Sequence, residues 1–474
     1  MNVHAHKTPP AELLARFAAI VGVKYAITDP VAQESYLVEM RDLYHGRTPM
    51  VLRPGSVAEV SAILALANET GTPVVPQGGN TGLVGGQIPH HGEIVLSLTR
   101  LDRIREIDPV SNTITCEAGV TLGRARDAAA QVDRLYPLLL PSEGTCTIGG
   151  NLSTNAGGTT AVAYGIARTQ ALGLEVVLAD GRVLNNLNKL KKDNTGYDLK
   201  NLFIGAEGTL GVITAAVLRL LPRPHSVETA FVGIASPEAA LELFGIALDR
   251  TYGGVTSFEL MARLGIDAVL RHAAGCRDPL AAEHPWYVLI ELSSQARTGL
   301  RAVLESILAD GLERGLVTDA AIADSLDQAK AFWRIREMFG EVQRLEGASI
   351  KHDVSVPIAA VPAFIAEANA AVTALIPGSR PLPFGHLGDG NIHYNVAQPV
   401  GDDPKQFMAR WEEVNGLVHS IVAKHGGSIS AEHGIGVLKR SLLPRVKDPV
   451  ALALMRTLKA TLDPKGILNP GKVL

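Results

Sequence analysis

The sequence predicts an α+β protein with a glycine-rich N-terminal domain, a mixed middle domain and a helical C-terminal segment. Three observations carry that expectation. A chain of 474 residues is too long for one small core. Its first half repeatedly runs from a short apolar stretch into a glycine-rich loop, first at Pro76-Gln-Gly-Gly-Asn-Thr-Gly-Leu-Val-Gly-Gly86. From about 226 to 410, apolar strands alternate with Ala/Leu/Glu-rich helices, a pattern of ferredoxin-like type. Pro222-Arg-Pro224 marks one boundary, so the expected domains are 1–224, 225–410 and 411–474.

The elements follow in order. Pro9-Pro10 opens an amphipathic helix over Ala11 to Val21. A strand-like Met50 to Arg53 precedes a helix whose start is marked by Ser56 and Glu59, a capping-box pair. Val60, Ile63, Leu64 and Ala67 give that helix its apolar face. Pro73 to Val75 then delivers the first glycine loop, a βαβ unit in outline. Short strands are expected at Glu93–Leu98, Ile104–Ile107, Thr113–Glu117, Leu172–Leu178 and Ile213–Leu221, with a helix over Val120–Ala130. In the middle domain, strands Thr229–Ile234 and Tyr287–Leu292 alternate with helices Pro237–Ala247, Thr298–Glu313 and Val361–Ala374. Helices over about Pro404–Ala423 and Pro449–Thr461 close the chain.

Composition excludes several classes. With 46% hydrophobic and 19% charged residues the chain is an ordinary globular sequence. A net charge of −4, without a basic patch interleaved with aromatics, argues against nucleic-acid binding. The three cysteines, Cys116, Cys146 and Cys276, lack CxxC spacing, so neither a disulfide framework nor a thiolate zinc site is expected. An apolar run of about 20 residues is not found, so no membrane span is expected. The N-terminus lacks the charged head and apolar core of a secretory signal. The expected location is the cytoplasm, or the mitochondrion in a eukaryote.

The first glycine loop, five glycines in eleven residues, suits either a tight turn or an anion cradle made of backbone N–H groups. It lacks the Gly-Lys-Ser/Thr of a P-loop and the later acid of a ribose-binding motif. Two further clusters follow, Pro141 to Gly158 and Gly205 to Gly211. Such small residues give little to a core, and close backbone approach to something bulky is the natural reason for them. Three clusters in one domain are more than a lone phosphate needs and suit a long dinucleotide.

Far downstream lie His386 and His393, seven apart around Gly388-Asp-Gly390, and the pair Glu432-His433. By spacing alone two readings stand: hydrogen-bonding core histidines with a surface Glu-His pair, or the His/His/Glu set of a catalytic zinc site with an open position. Arg336 and Lys351 likewise read as a solvated helix arginine and strand lysine, or as cations that hold a carboxylate.

The motifs PQGGNTGLVGG, SEGTCTIGGNLSTNAGG, KDNTGYDLKNLFIGAEGTLGVIT, GHLGDGNIHYN, SAEHGIG and LDPKGILNPGK together resemble the FAD-linked oxidase family of the vanillyl-alcohol-oxidase superfold. Within it they are most similar to the D-2-hydroxyglutarate dehydrogenase, D-lactate dehydrogenase and glycolate oxidase flavin-subunit group. The resemblance implies a two-subdomain, PCMH-type FAD-binding domain, a substrate cap domain over the flavin, and a C-terminal helical segment that returns to complete the site. It implies FAD contacts at Pro76, Gly78, Gly79, Asn80, Thr81, Gly82 and Gly86 in the first loop. In the second cluster it implies Pro141, Glu143, Gly144, Gly149, Gly150, Asn155, Gly157 and Gly158. In the third it implies Gly205, Glu207, Gly208, Gly211 and Ile213, with Asn469 near the end. Gly78-Gly79-Asn80 offers no histidine for covalent attachment, so noncovalent FAD is expected.

The same resemblance implies a divalent metal, zinc by choice, on His386, His393 and Glu432, with His433 as catalytic base. It implies Arg336 and Lys351 as substrate contacts, although Gly340 stands where dicarboxylate-specific relatives carry a hydroxyl residue, while Asn395, two residues past His393 and so on the same strand face, is expected to orient substrate or ligand by hydrogen bond. The expected reaction is oxidation of a D-2-hydroxy acid, D-2-hydroxyglutarate first, with hydride transfer to the flavin and electrons passed to an electron-transfer flavoprotein or quinone. D-lactate, D-malate and another alcohol class are the alternative substrates. The sequence itself does not give the oligomeric state, and a homodimer is the one assembly considered.

Overall fold

The computed structural model describes residues 8–474, so the head of the segment read for a targeting signal lies outside the described residues. The chain forms two compact units. The first comprises the chain up to Gly157, Ile166–Arg223 and Glu432–Leu474; the second comprises Gly158–Gly165 and Pro224–Ala431.

The first unit holds two main sheets. One has four strands in the order Ala26–Ile27, Val51–Leu52, Ile94–Ser97, Val74–Gln77, the last three parallel. The crossover helix Val57–Thr70 starts as its sequence predicts: Ser56 Oγ accepts from the Glu59 amide at 3.2 Å. The Glu59 carboxylate bonds the Gly55 amide at 2.8 Å, one residue before the cap. Val60, Ile63, Leu64 and Ala67 are fully buried, and each large apolar side chain so buried contributes about 1.5–3 kcal/mol. The βαβ outline needs one amendment, because Ile94–Ser97 inserts between the two strands the helix connects.

The other sheet is antiparallel, in the order Ile104–Asp108, Thr113–Glu117, Val212–Arg219, Ala171–Val177, Val183–Asn186. Its apolar face packs with Leu122, Ala125, Ile148 and Leu152 from the helices Leu122–Gln131 and Ile148–Thr154. The second glycine cluster therefore yields a short helix, capped by Thr147 Oγ1 at one end and ended by Asn155 in the left-handed region.

The second unit is built on an eight-stranded sheet. Its first four strands in sequence are Ser226–Ile234, Val255–Ala262, Trp286–Ser294 and Val317–Ile322. They lie in the order fourth, first, third, second, the antiparallel ferredoxin-like arrangement that the alternating pattern predicts. The hairpin Arg380–His386 and Asn391–Ala397 extends this sheet from the edge of Val255–Ala262. A single 3₁₀ turn, Leu387–Asp389, closes the hairpin with Gly390 at φ 79°. The segment Gly158–Gly165 also belongs here: Ser257 Oγ donates to the Thr159 carbonyl at 2.9 Å, and Tyr164 and Ser293 hydroxyls lie 3.3 Å apart.

The expected boundary at 410 falls inside the second compact unit. The predicted helix breaks at Arg410 into Pro404–Ala409 and Trp411–Lys424. Val414, Val418, Ile421 and Val422 of the longer piece are buried in the second unit's core, so that unit runs on to Ala431. One helical stretch among the described residues, Ile358–Leu375, is long and apolar enough by length and composition to cross a membrane. Its Val361, Phe364, Ile365, Ala368 and Val372 face that same core.

Candidate functional site

In the first unit, the loop after Val74–Gln77 packs backbone to backbone on the second glycine cluster. A Cβ on Gly79 would overlap the Thr145 carbonyl oxygen, and one on Gly78 would overlap Thr147 Oγ1. Asn80 takes φ 55° and is tied down by its amide, which donates to the Ser35 and Val38 carbonyls at 3.0 and 2.8 Å. Gln87 bridges Asn80 Oδ1 and the Gly82 carbonyl, so Thr81 and Gly82 sit in a braced loop.

Other expected cofactor positions divide by what surrounds them. Gly149 and Gly211 have packing reasons to be glycine, against Ala118 and against Val176 and Phe203. A Cβ at Gly144 would meet nothing, and Pro141 beside it is exposed, which is room that a ligand can use. Glu143 spends its carboxylate on Arg126, and Gly150 donates its amide to Thr147. Asn155 Oδ1 accepts from the Arg168 amide, and Gly205 lies against both residues. A Cβ at Gly208 would lie 3.0 Å from the Pro76 ring, so the first and third clusters meet there. Ile213 is a buried strand residue.

Near the C-terminus, Asn469 Nδ2 donates to the Gly86 and Glu207 carbonyls at 3.0 and 2.8 Å. Its Oδ1 is buried without a hydrogen-bond partner, an acceptor that a bound group's N–H or O–H can satisfy. The glycine-lined backbone and this orphaned acceptor fit a dinucleotide. Gly79→Ala should accordingly yield protein purified without FAD, checked by the ratio of flavin to protein absorbance.

In the second unit, the two hairpin strands set His386 and His393 with their rings 5.8 Å apart and nearly perpendicular. Glu259 sits opposite His386 on the neighbouring strand and is fully buried. Its Oε1 lies 2.6 Å from His386 Nδ1, and its Oε2 accepts from Arg336 Nε at 2.7 Å. Burial alone would push the Glu259 carboxyl up, but the His386 and Arg336 charges hold it down at about 2. Arg336, on the helix Leu326–Val342, lays its guanidinium 5.0 Å from the Phe384 ring centre, and Phe384 is 5.1 Å from His393. Gly340 follows one turn later on that helix, exposed, and a Cβ there would meet nothing.

Asp353 pairs with His393 across the sheet, and their ligand atoms lie within 4.8 Å of each other. Asn395 is buried, its amide donating to Gln343 Oε1 at 2.7 Å while its Oδ1 accepts from the His352 amide. Both ends of that side chain are thus engaged within the fold. Lys351 is half-buried between two short strands of the same edge. The Ala431 amide lies 3.4 Å from the Asp353 carbonyl, and Glu432 and His433 are the next residues of the chain. Those two belong to the first unit, where Glu432 Oε1 stands 3.9 Å from His433 Nε2 and Glu432 Oε2 would lie 3.1 Å from a Cβ at Gly157.

Residues 48–186 match the FAD binding domain model, and residues 223–473 match the C-terminal domain of FAD linked oxidases. The chain belongs to the FAD-linked oxidases. As a member of that family it is an FAD-dependent oxidoreductase. It is 39% identical to the mitochondrial D-2-hydroxyglutarate dehydrogenase of Arabidopsis thaliana, over 97% of this chain and 80% of that protein. It is 38% identical to the D-2-hydroxyglutarate dehydrogenase of Xanthomonas citri pv. viticola, over 94% of this chain and 93% of the relative. Its fold is that of p-cresol methylhydroxylase, a crystal structure matched with TM-score 0.78 at 16% identity over 98% and 96% of the two chains. The PCMH-type FAD fold implied by the motifs is therefore the fold of this oxidase.

Two residues of this oxidase's polar cluster escaped the sequence reading. Glu259 interrupts the otherwise apolar Phe258-Glu-Leu-Met261, and a lone carboxylate in a buried strand requires a charged partner. Asp353 stands two residues past Lys351 in the sequence, and only the strand pairing puts it opposite His393.

Proposed function

We propose that this FAD-linked oxidase oxidises a D-2-hydroxy acid to the 2-oxo acid, with D-2-hydroxyglutarate as first substrate. The observation that carries the reading is the buried Arg336–Glu259–His386 cluster with His393 on the adjoining strand. It puts a guanidinium and two imidazoles on neighbouring elements, as an acid with a reacting hydroxyl requires. The names of the relatives support the substrate.

The chain's own residues divide the work. Arg336 keeps Nε on Glu259, which aims its terminal nitrogens as a fork for a carboxylate. Lys351 adds a second cation. Glu259 fixes the His386 ring through Nδ1, the carboxylate–histidine arrangement typical of metal-binding imidazoles. As the resemblance implies, His386, His393 and Glu432 would be the ligands of a divalent ion, and histidine and carboxylate donors suit zinc, which would supply a Lewis acid for the hydroxyl. His433 accepts the hydroxyl proton, a task suited to an imidazole. Asn395, braced by Gln343 and the His352 amide, is the residue assigned to orient substrate or ligand. Noncovalent FAD, when bound, supplies the acceptor for the carbon-bound hydrogen. An electron-transfer flavoprotein or a quinone would be the acceptor for the reduced cofactor.

Anaerobic mixing should bleach the flavin with D- but not L-2-hydroxy acids. Equal kcat/KM for D-lactate and D-2-hydroxyglutarate would refute the dicarboxylate preference, and the open space at Gly340 makes that comparison informative. Protein that turns over without a stoichiometric divalent ion would remove the metal from the scheme.

A further inference from the structure

The turn that follows Glu432-His433 is fastened to the first unit from three directions. Glu207 Oε1 accepts from the Ile435 amide at 2.7 Å, and Oε2 accepts from the Gly436 amide at 2.8 Å. The Val84 carbonyl, in the first glycine loop, accepts from Val437 and Leu438 at 2.9 and 3.2 Å. The Gly436 carbonyl accepts from the Val473 amide at 3.0 Å. Gly436 has φ +50°, and a Cβ there would overlap the Val84 oxygen. The turn is clamped by backbone on two sides and by one carboxylate on the third.

That carboxylate stands in a conformation that glycine adopts freely and glutamate does not. Glu207 has φ 51°, left-handed, between Gly205 and Gly208. Such strain persists where surrounding structure over-determines it. A residue that contacted FAD through its backbone alone would be better as glycine, so the position needs the side chain. The side chain is buried and both oxygens are used on the turn. Charge-assisted bonds of this kind are roughly twice as strong as neutral ones.

We propose that Glu207 is a positioning residue, whose carboxylate sets the turn carrying Glu432 and His433 while the surrounding backbone serves FAD. The proposal rests on the reading of His433 as the base. It differs from the family-based expectation that Glu207 itself contacts the cofactor.

The test uses Glu207→Gln holoenzyme, in which one acceptor becomes a donor facing a backbone N–H. Three quantities are read: FAD per protein, hydrogen exchange of the peptide 432–440, and the anaerobic flavin reduction rate with D-2-hydroxyglutarate. We expect unchanged FAD content, faster exchange in that peptide, and a reduction rate lower by about 100-fold, the cost of misplacing a catalytic group by about 1 Å. Loss of FAD with unchanged exchange would overturn the proposal. So would unchanged exchange with full FAD. FAD content and exchange need no substrate. A wild-type flavin that no 2-hydroxy acid reduces would therefore sink the functional reading while the positioning result still stood or fell on exchange.

Discussion

Replacing His433 by alanine should end turnover while leaving FAD in place. A positioned base contributes about 10²–10⁴-fold to a proton transfer, and the anaerobic rate of flavin bleaching should fall by that factor. The cradle at Gly78, Gly79, Gly144 and Asn469 is built from other segments, so the flavin absorbance of the purified variant should match that of the parent. A bleaching rate within a few-fold of the parent would remove His433 from the mechanism. Glu432→Ala is the natural companion, because it leaves the imidazole and removes the carboxylate 3.9 Å away. If Glu432 is a metal ligand, that variant should lose divalent ion as well as rate.

Glu259→Ala should destabilise the second unit severely. Removing this carboxylate leaves Arg336 and His386 buried around a vacancy, and breaking a buried ion pair from one side costs about 3–5 kcal/mol. The chain has three tryptophans, Trp286, Trp333 and Trp411, all within the second unit, so intrinsic fluorescence follows that unit's unfolding selectively. A denaturation midpoint equal to that of the parent would contradict the pairing. The sign of the pH effect follows from the depressed carboxyl. Its folded value of about 2 lies below the ordinary 4.5, so its contribution is complete above about 4.5 and is lost as pH falls toward 2. Glu346 and Glu117 are depressed too, so parent and Glu259→Gln must be compared. The difference in stability between them should shrink across that acid window.

Much of this was written locally in the chain. Ser56 and Glu59 announce a helix start, and the Val60 to Ala67 spacing announces the face that becomes buried. The alternation after Pro224 was enough for the ferredoxin-like order, because short connections between apolar strands leave few ways to pair them. What stayed hidden depends on tertiary partners. The amphipathic pattern of Trp411–Lys424 declares an apolar face but not which core receives it, and that core is the second unit's. Glu259 and Asp353 become informative only once burial and strand register are known. Glu207 sits inside a glycine motif, and only its hydrogen bonds show that its side chain faces residues more than 200 positions later.

The excursion at Gly158–Gly165 has a bearing on how such an enzyme can change. The first unit is drawn from three stretches of chain and the second from two, so the polypeptide passes between them four times. A fragment starting at Pro224 would lack Thr159, whose carbonyl holds Ser257, and Val162, which packs on Gly388. The second unit is thus not a cassette that recombination can lift out by its ends. A single proteolytic nick after Arg223 would give two fragments that each carry pieces of both units. New specificities in this architecture must arise in place, by substitution within a unit that cannot be exchanged whole.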